Sequence, residues 1–130
     1  MEVKLFKWED RFVLNNKLLD RQHEKFIAII NEFSMAIDSQ DCEGIHHVFY
    51  LLIHYVENYL IDTNIKLLEC NNVKYLKLKD QQNKLLERVK KYYRKFNTEK
   101  PTCLEFYNYL IEWFVDYIDM YKKEGYASCL

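Results

Sequence analysis

The stretch that decides the fold is Leu19-Asp20-Arg21-Gln22-His23-Glu24-Lys25-Phe26-Ile27-Ala28-Ile29-Ile30-Asn31-Glu32-Phe33-Ser34-Met35-Ala36-Ile37. In it Leu19, His23, Phe26, Ile30, Phe33 and Ile37 recur at alternating steps of four and three, the spacing that places side chains on one face of an α-helix. No proline or glycine interrupts the run. A first helix over about residues 18–38 is therefore predicted, with one histidine inside an otherwise apolar stripe.

The same spacing recurs on the C-terminal side. Asp38-Ser39-Gln40-Asp41 reads as a polar turn in which Asp41 caps the next helix and Glu43 follows in its first turn. That second helix is expected over about 42–69. Its face through His47, Leu51, His54, Asn58, Asp62 and Ile65 is unusually polar, while Ile45, Val48, Leu52, Val56 and Tyr59 beside it supply apolar packing. After the break at Asn71-Asn72, a third helix over about 73–96 carries Tyr75, Leu78, Gln82, Leu85, Val89, Tyr92 and Phe96 on one stripe. Asn97-Thr98-Glu99-Lys100-Pro101 is read as a loop, with the proline just before or inside the next first turn. The last helix, about 101–123, has Cys103, Phe106, Leu110, Trp113, Tyr117 and Met120 on its stripe and ends before Gly125.

On the N-terminal side, an arm over residues 1–18 holds Leu5, Phe6, Trp8, Phe12, Val13 and Leu14, enough apolar surface to require a packing partner. Short connections bring consecutive helices back alongside one another. The expected architecture is all-α: one up-and-down antiparallel four-helix bundle over residues 1–130, with the arm laid against it.

Composition agrees with one compact domain: 130 residues, 49% hydrophobic, with one proline and two glycines to interrupt helices. Nineteen basic against twenty acidic residues leave a net charge of −1, which gives no general attraction to nucleic acid or to an anionic membrane. The basic cluster Lys90, Lys91, Arg94 and Lys95 reads as a solvated helix end favoured by the helix dipole. Apolar runs are short and the opening Met1-Glu2-Val3-Lys4 is no signal peptide, so a cytoplasmic protein is expected. Cys42, Cys70, Cys103 and Cys129 lack CxxC spacing and are expected as free thiols. If bridges form, the topology pairs Cys42 with Cys103 at one end and Cys70 with Cys129 at the other.

Each inward stripe has a polar interruption: His23, then Asn58 with Asp62, then Gln82, then Tyr117. With alternating helix directions these fall at one level, where they would form a buried layer. Such a layer is either a ligand or metal site built from facing helices or a hydrogen-bonded core network. The donor chemistry favours the network, because a dimetal site needs several histidines or carboxylates.

Trp8-Glu9-Asp10-Arg11-Phe12, then Leu19-Asp20-Arg21-Gln22-His23-Glu24-Lys25-Phe26 and Ile29-Ile30-Asn31 resemble the opening of the bacterial haemerythrins, a tryptophan followed by a D-x-Q-H-x-x-F helix ending in I-N. The resemblance extends over nearly the whole chain, through Trp113 to Ile118. It implies a four-helix bundle whose relatives hold a di-iron centre on five histidines, one glutamate and one aspartate and bind oxygen reversibly. Carried over position by position, the first-helix ligand is His23. The second-helix H-F-x-x-E motif reads Asn58-Tyr59-Leu60-Ile61-Asp62, the third-helix pair falls on Leu78 and Gln82, and the last-helix histidine and aspartate fall on Tyr117 and Lys122. One ligand is intact, one carboxylate is shortened, and five are lost.

Leucine cannot coordinate, amides are weak ligands and an ammonium repels a cation. The expectation is thus a set of vestigial positions without metal, in which Lys122 pairs with Asp62 and Tyr117 bonds to His23 or Asn58. An alternative mononuclear site would use His23, His54 and Asp62. His46 and His47 are expected at the surface. No nucleophile–base pair or phosphate loop suggests catalysis. The expected function is a non-enzymatic, cofactor-free structural or interaction module that binds a protein partner or itself. The alternative is an iron- or oxygen-binding carrier or sensor with altered ligands.

Overall fold

The structure, a computed structural model, describes residues 5–95 and 100–130 and is all-α, with no strand among those residues. Helix α1 spans Lys17–Asp38, α2 Cys42–His54, α3 Ile61–Cys70, α4 Asn72–Arg94 and α5 Lys100–Glu124. One wide π-turn, Tyr55–Tyr59, joins α2 to α3, so these two occupy the place of the single second helix read from the sequence. Turns of 3-10 type lie at Asp10–Phe12 and Tyr126–Cys129. Residues 1–4 of the arm, the expected helix end at Phe96 and the loop residues 97–99 lie outside the described residues.

Side-chain caps fix where the helices begin. The carboxamide oxygen of Asn16 accepts the Leu19 N–H at 3.1 Å, and that of Asn71 accepts the Lys74 N–H at 3.0 Å. Asp41 accepts the Gly44 N–H at 3.0 Å, the cap expected of it. Each such bond satisfies an otherwise unpaired amide and stabilises its helix by about 1 kcal/mol. Helix α5 stops where Gly125 takes φ 66°, a left-handed conformation that costs a residue without Cβ little.

Contacts between helices fix their directions. From α1 to α2–α3, Phe33 meets Phe49 and Gln22 meets Thr63. Between α3 and α4 the pair is Asn64 and Gln82, and Lys90 reaches back to Glu57 in the π-turn. From α4 to α5, Tyr92 meets Phe106 and Lys77 meets Glu124. Helix α5 closes the ring on α1, with Phe33 against Phe106 and His23 against Tyr121. In every pair one residue number rises as the other falls, so neighbouring helices run antiparallel. These contacts close into the expected up-and-down bundle.

The stripe of α1 is inward as read, with Leu19, His23, Phe26, Ile30, Phe33 and Ile37 all buried; on α4, Leu78, Gln82, Leu85 and Val89 are buried and Tyr75 and Tyr92 half-buried. On α5, Cys103, Phe106, Leu110, Trp113 and Tyr117 are buried, while Met120 is half-buried and Phe114 and Tyr121 join the interior. The arm lies against the bundle. Phe12 is buried with its ring 5.3 Å from that of Phe114, and Asn31 holds the Phe6 backbone by two hydrogen bonds of 2.7 and 2.9 Å.

Candidate functional site

The interior turns polar at the level of His23. From α1 come Gln22 and His23, from α3 Thr63 and Asn64, from α4 Gln82, and from α5 Tyr117 and Tyr121, all buried. The Gln82 amide N–H donates to Asn64 Oδ1 at 3.0 Å and to the Tyr117 hydroxyl at 2.8 Å. Asn64 Nδ2 donates in return to Gln82 Oε1 at 2.7 Å. Tyr117 and Tyr121 hydroxyls stand 3.4 Å apart. Beside this network, Gln22 Nε2 donates to Thr63 Oγ1 at 3.0 Å, and the Tyr55 hydroxyl donates to the Gln22 carbonyl at 2.7 Å.

His23 stands apart from these bonds. Its ring packs among Phe114, Tyr117 and Tyr121, with centroids 6.1, 5.9 and 4.9 Å away, and neither ring nitrogen has a hydrogen-bond partner among the described residues. Burial pushes its pKa from the ordinary 6.5 down to about 3, so the imidazole is neutral at physiological pH. Burial likewise raises Tyr117 to about 12, against the opposing pull of its hydrogen bonds with Tyr121 and Gln82. Tyr55 and Tyr121 are raised well above the usual phenol value, again chiefly by burial. The layer is uncharged.

The structure brings together four of the positions named from the sequence, His23, Leu78, Gln82 and Tyr117, and separates the rest. Asn58, Asp62 and His54 of the second-helix region are exposed, as is Lys122. In the π-turn, Leu60 N–H bonds to the Tyr55 carbonyl, five residues back, at 3.2 Å, so the turn takes up one residue more than an α-turn. Steps of four and three from Leu52 run through Val56, Leu60, Thr63 and Leu67, which are buried together with Asn64. The face through His47, Leu51, His54, Asn58 and Asp62 points outward already before the turn, with His47 and His54 exposed and Leu51 half-buried. The inward pair four apart is thus Leu60 and Asn64, not Asn58 and Asp62. The Asp62 side chain stays in water, where it needs no partner.

Three expected contacts are corrected by these positions. Lys122 does not pair with Asp62; its ammonium donates to the Arg11 carbonyl of the arm. Tyr117 bonds to Gln82 rather than to His23 or Asn58. His23, His54 and Asp62 do not converge, since the first is buried and the other two are at the surface. The cysteine expectation is corrected in part: Cys42 and Cys103 are in no disulfide, but Cys70 and Cys129 are bridged with Cα atoms 5.8 Å apart. This is one of the two same-end pairs that the topology allows.

Gln22, Thr63, Asn64, Tyr55 and Tyr121 were not singled out from the sequence. Thr63 and Asn64 carried a signal, falling three and four places after Leu60 in the midst of an apolar stretch. The other three are types that occur as readily at a surface.

The donor set bears on the di-iron centre that the resemblance implies. The layer offers one imidazole and no carboxylate; Asn64, Gln82 and Tyr117 are committed to one another, and Gln22 to Thr63. These residues do not fit a centre that demands several anionic and imidazole ligands. Among the described residues no group of three or more histidines, cysteines or carboxylates is placed to hold a metal ion, and no helix is long and apolar enough to cross a membrane. No family model, curated protein or solved structure matches this chain.

Proposed function

We propose that this chain is a metal-free bundle of haemerythrin-like form, acting as a structural or protein-interaction module and not as an enzyme. The observation that carries this reading is the Asn64–Gln82–Tyr117 network, in which the polar side chains at the level of His23 satisfy each other. A layer closed in this way contributes to the fold and has only the His23 imidazole to give to a metal without breaking its own bonds. A cytoplasmic setting belongs to the same reading, with the Cys70–Cys129 bridge then formed and broken by the redox state of its surroundings.

Support for interaction comes from the opposite face of α3. Ile61, Ile65 and Leu68, at steps of four and three, are 44%, 48% and 43% exposed. On the adjoining α4, Val73 and Leu76 are 64% and 58% exposed. Clustered exposed aliphatic side chains mark contact surfaces more often than isolated ones do. Elemental analysis of protein purified without chelators, beside its visible spectrum, tests the first half of the reading; about two irons per chain with an oxygen-dependent absorption band would overturn it. Light scattering of Ile65→Glu against the parent tests the second, with loss of any self-associated species expected.

One observation favours a second reading, a carrier or sensor with altered ligands: both nitrogens of buried His23 lack partners. The same elemental analysis separates the two.

A further inference from the structure

The turn after α5 closes over the polar layer. Tyr126 is fully buried, its ring 5.2 Å from Tyr121 and nearly perpendicular to it. Tyr121 in turn lies edge-on to His23 with centroids 4.9 Å apart. Tyr126, Tyr121 and His23 therefore form a continuous file of rings from the turn to the histidine.

The bridge, the Tyr126 ring and the half-buried Ala127, Cys129 and Leu130 packed against the core hold the turn in place. Among the described residues its hydrogen bonds are internal: Ser128 N–H and Ser128 hydroxyl donate to the Gly125 carbonyl at 3.2 and 2.9 Å, and Leu130 N–H to the Ala127 carbonyl at 3.2 Å. The buried Tyr126 hydroxyl has no hydrogen-bond partner among the described residues, which offsets part of what burial of its ring contributes. Gly125, in the left-handed region at φ 66°, is a joint about which the turn can swing. The covalent tie is Cys129, inside the turn, bonded to Cys70 at the exposed end of α3.

We propose that the Cys70–Cys129 bridge is a redox latch: reducing it releases Tyr126 from the interior and opens the layer holding Tyr121 and His23 to solvent. The co-reactant is a dithiol. One of its thiolates attacks Cys70 Sγ, the only sulfur of the pair on an exposed residue, the S–S bond breaks, and Cys129 leaves as a thiolate that takes up a proton. The second thiol of the reductant then displaces Cys70, which is protonated in turn. Two electrons and two protons pass to the protein and the dithiol becomes a disulfide.

The inference is independent of the interaction reading above and is tested separately. Protein carrying Cys42→Ser, which removes the other exposed thiol, is compared oxidised and after dithiothreitol, with thiol titration to count two additional thiols on reduction. Amide exchange by mass spectrometry should quicken at least tenfold over residues 121–130 on reduction and stay unchanged over 26–49. Diethyl pyrocarbonate should modify His23 only in the reduced protein. The Cys70→Ser/Cys129→Ser variant should match the reduced parent in both readouts. Equal protection of 121–130 in both states would overturn the latch, and so would failure to form the bridge. Uniform loosening of the whole chain would also overturn it, since the bridge would then be a general staple.

Discussion

The two ends of this bundle's interior are built on different principles. At the end holding Phe33, Phe49, Tyr92 and Phe106 the core is aromatic and dry. Phe106 stacks on Phe49 at 5.2 Å and on Tyr92 at 4.5 Å, with Phe33 edge-on at 5.6 Å. At the other end the core is amides, phenols and one imidazole, held by directed bonds of 2.7 to 3.0 Å. Burial of rings is non-directional and scales with area. A buried amide is stabilising only while each partner stays in place. The first kind of core needs only the right periodicity; the second also needs the right register.

The largest effect expected from this contrast is at the dry end. Phe106→Ala removes the ring that Phe33, Phe49, Tyr92 and Tyr109 share and should destabilise the protein by about 3–5 kcal/mol in denaturant melts, with cooperativity retained. A loss under about 1 kcal/mol would mean that this end is loosely packed.

At the polar end the expected signature is coupling rather than size. Gln82→Leu strands both polar atoms of Asn64 and the hydroxyl of Tyr117, and should cost about 1–3 kcal/mol. Replacing Asn64 and Gln82 together by leucine should cost less than the sum of the singles. A double-mutant cycle should give a coupling of about 0.5–3 kcal/mol. Additivity would place these amides in water, contrary to their burial.

The difference between the ends also decides what was legible in the sequence. The helices, their antiparallel order, the stripes of α1, α4 and α5 and the cap at Asp41 follow from apolar periodicity and turn chemistry, and the dry end follows with them. At the polar end His23, Gln82 and Tyr117 were legible because each interrupts an unambiguous stripe. Asn64 and Thr63 were not, because the polar face through His47, His54, Asn58 and Asp62 reads as the inward one, yet it is exposed from His47 onward. The motif alignment on that face puts Asn58 and Asp62 in the interior, two places before the buried pair Leu60 and Asn64. The Cys70–Cys129 bridge was legible only as a permitted pairing, since redox state is a property of surroundings as well as of spacing.

A third expectation concerns His23, whose nitrogens lack partners and whose pKa lies near 3 when folded against 6.5 ordinarily. Between those values the unfolded chain binds a proton that the folded one does not, so stability falls as pH drops through the window and is unaffected above it. The slope from this residue reaches about 1.4 kcal/mol per pH unit. His23→Leu should flatten the pH dependence of the unfolding midpoint between about pH 6 and 4. At neutral pH it should leave stability equal or higher by about 1 kcal/mol, because two unsatisfied polar atoms are removed. An unchanged acid slope would assign the loss of stability to other groups.

The smallest expected effect is at the pair that the motif alignment had placed in the layer. Asp62 and Lys122 are both exposed, and the Lys122 ammonium is turned to the Arg11 carbonyl on the arm. Lys122→Ala should therefore loosen the arm rather than strand a buried carboxylate, at a cost of about 1 kcal/mol or less, typical of one surface hydrogen bond. Asp62→Ala should change stability by no more than about 0.5 kcal/mol. Because the two side chains share no partner, the double variant should equal the sum of the singles within about 0.5 kcal/mol. Coupling of about 3 kcal/mol or more is what a buried ion pair would give. Such a value would return Asp62 to the interior and turn its face of α3, rather than the face of Thr63 and Asn64, toward the bundle.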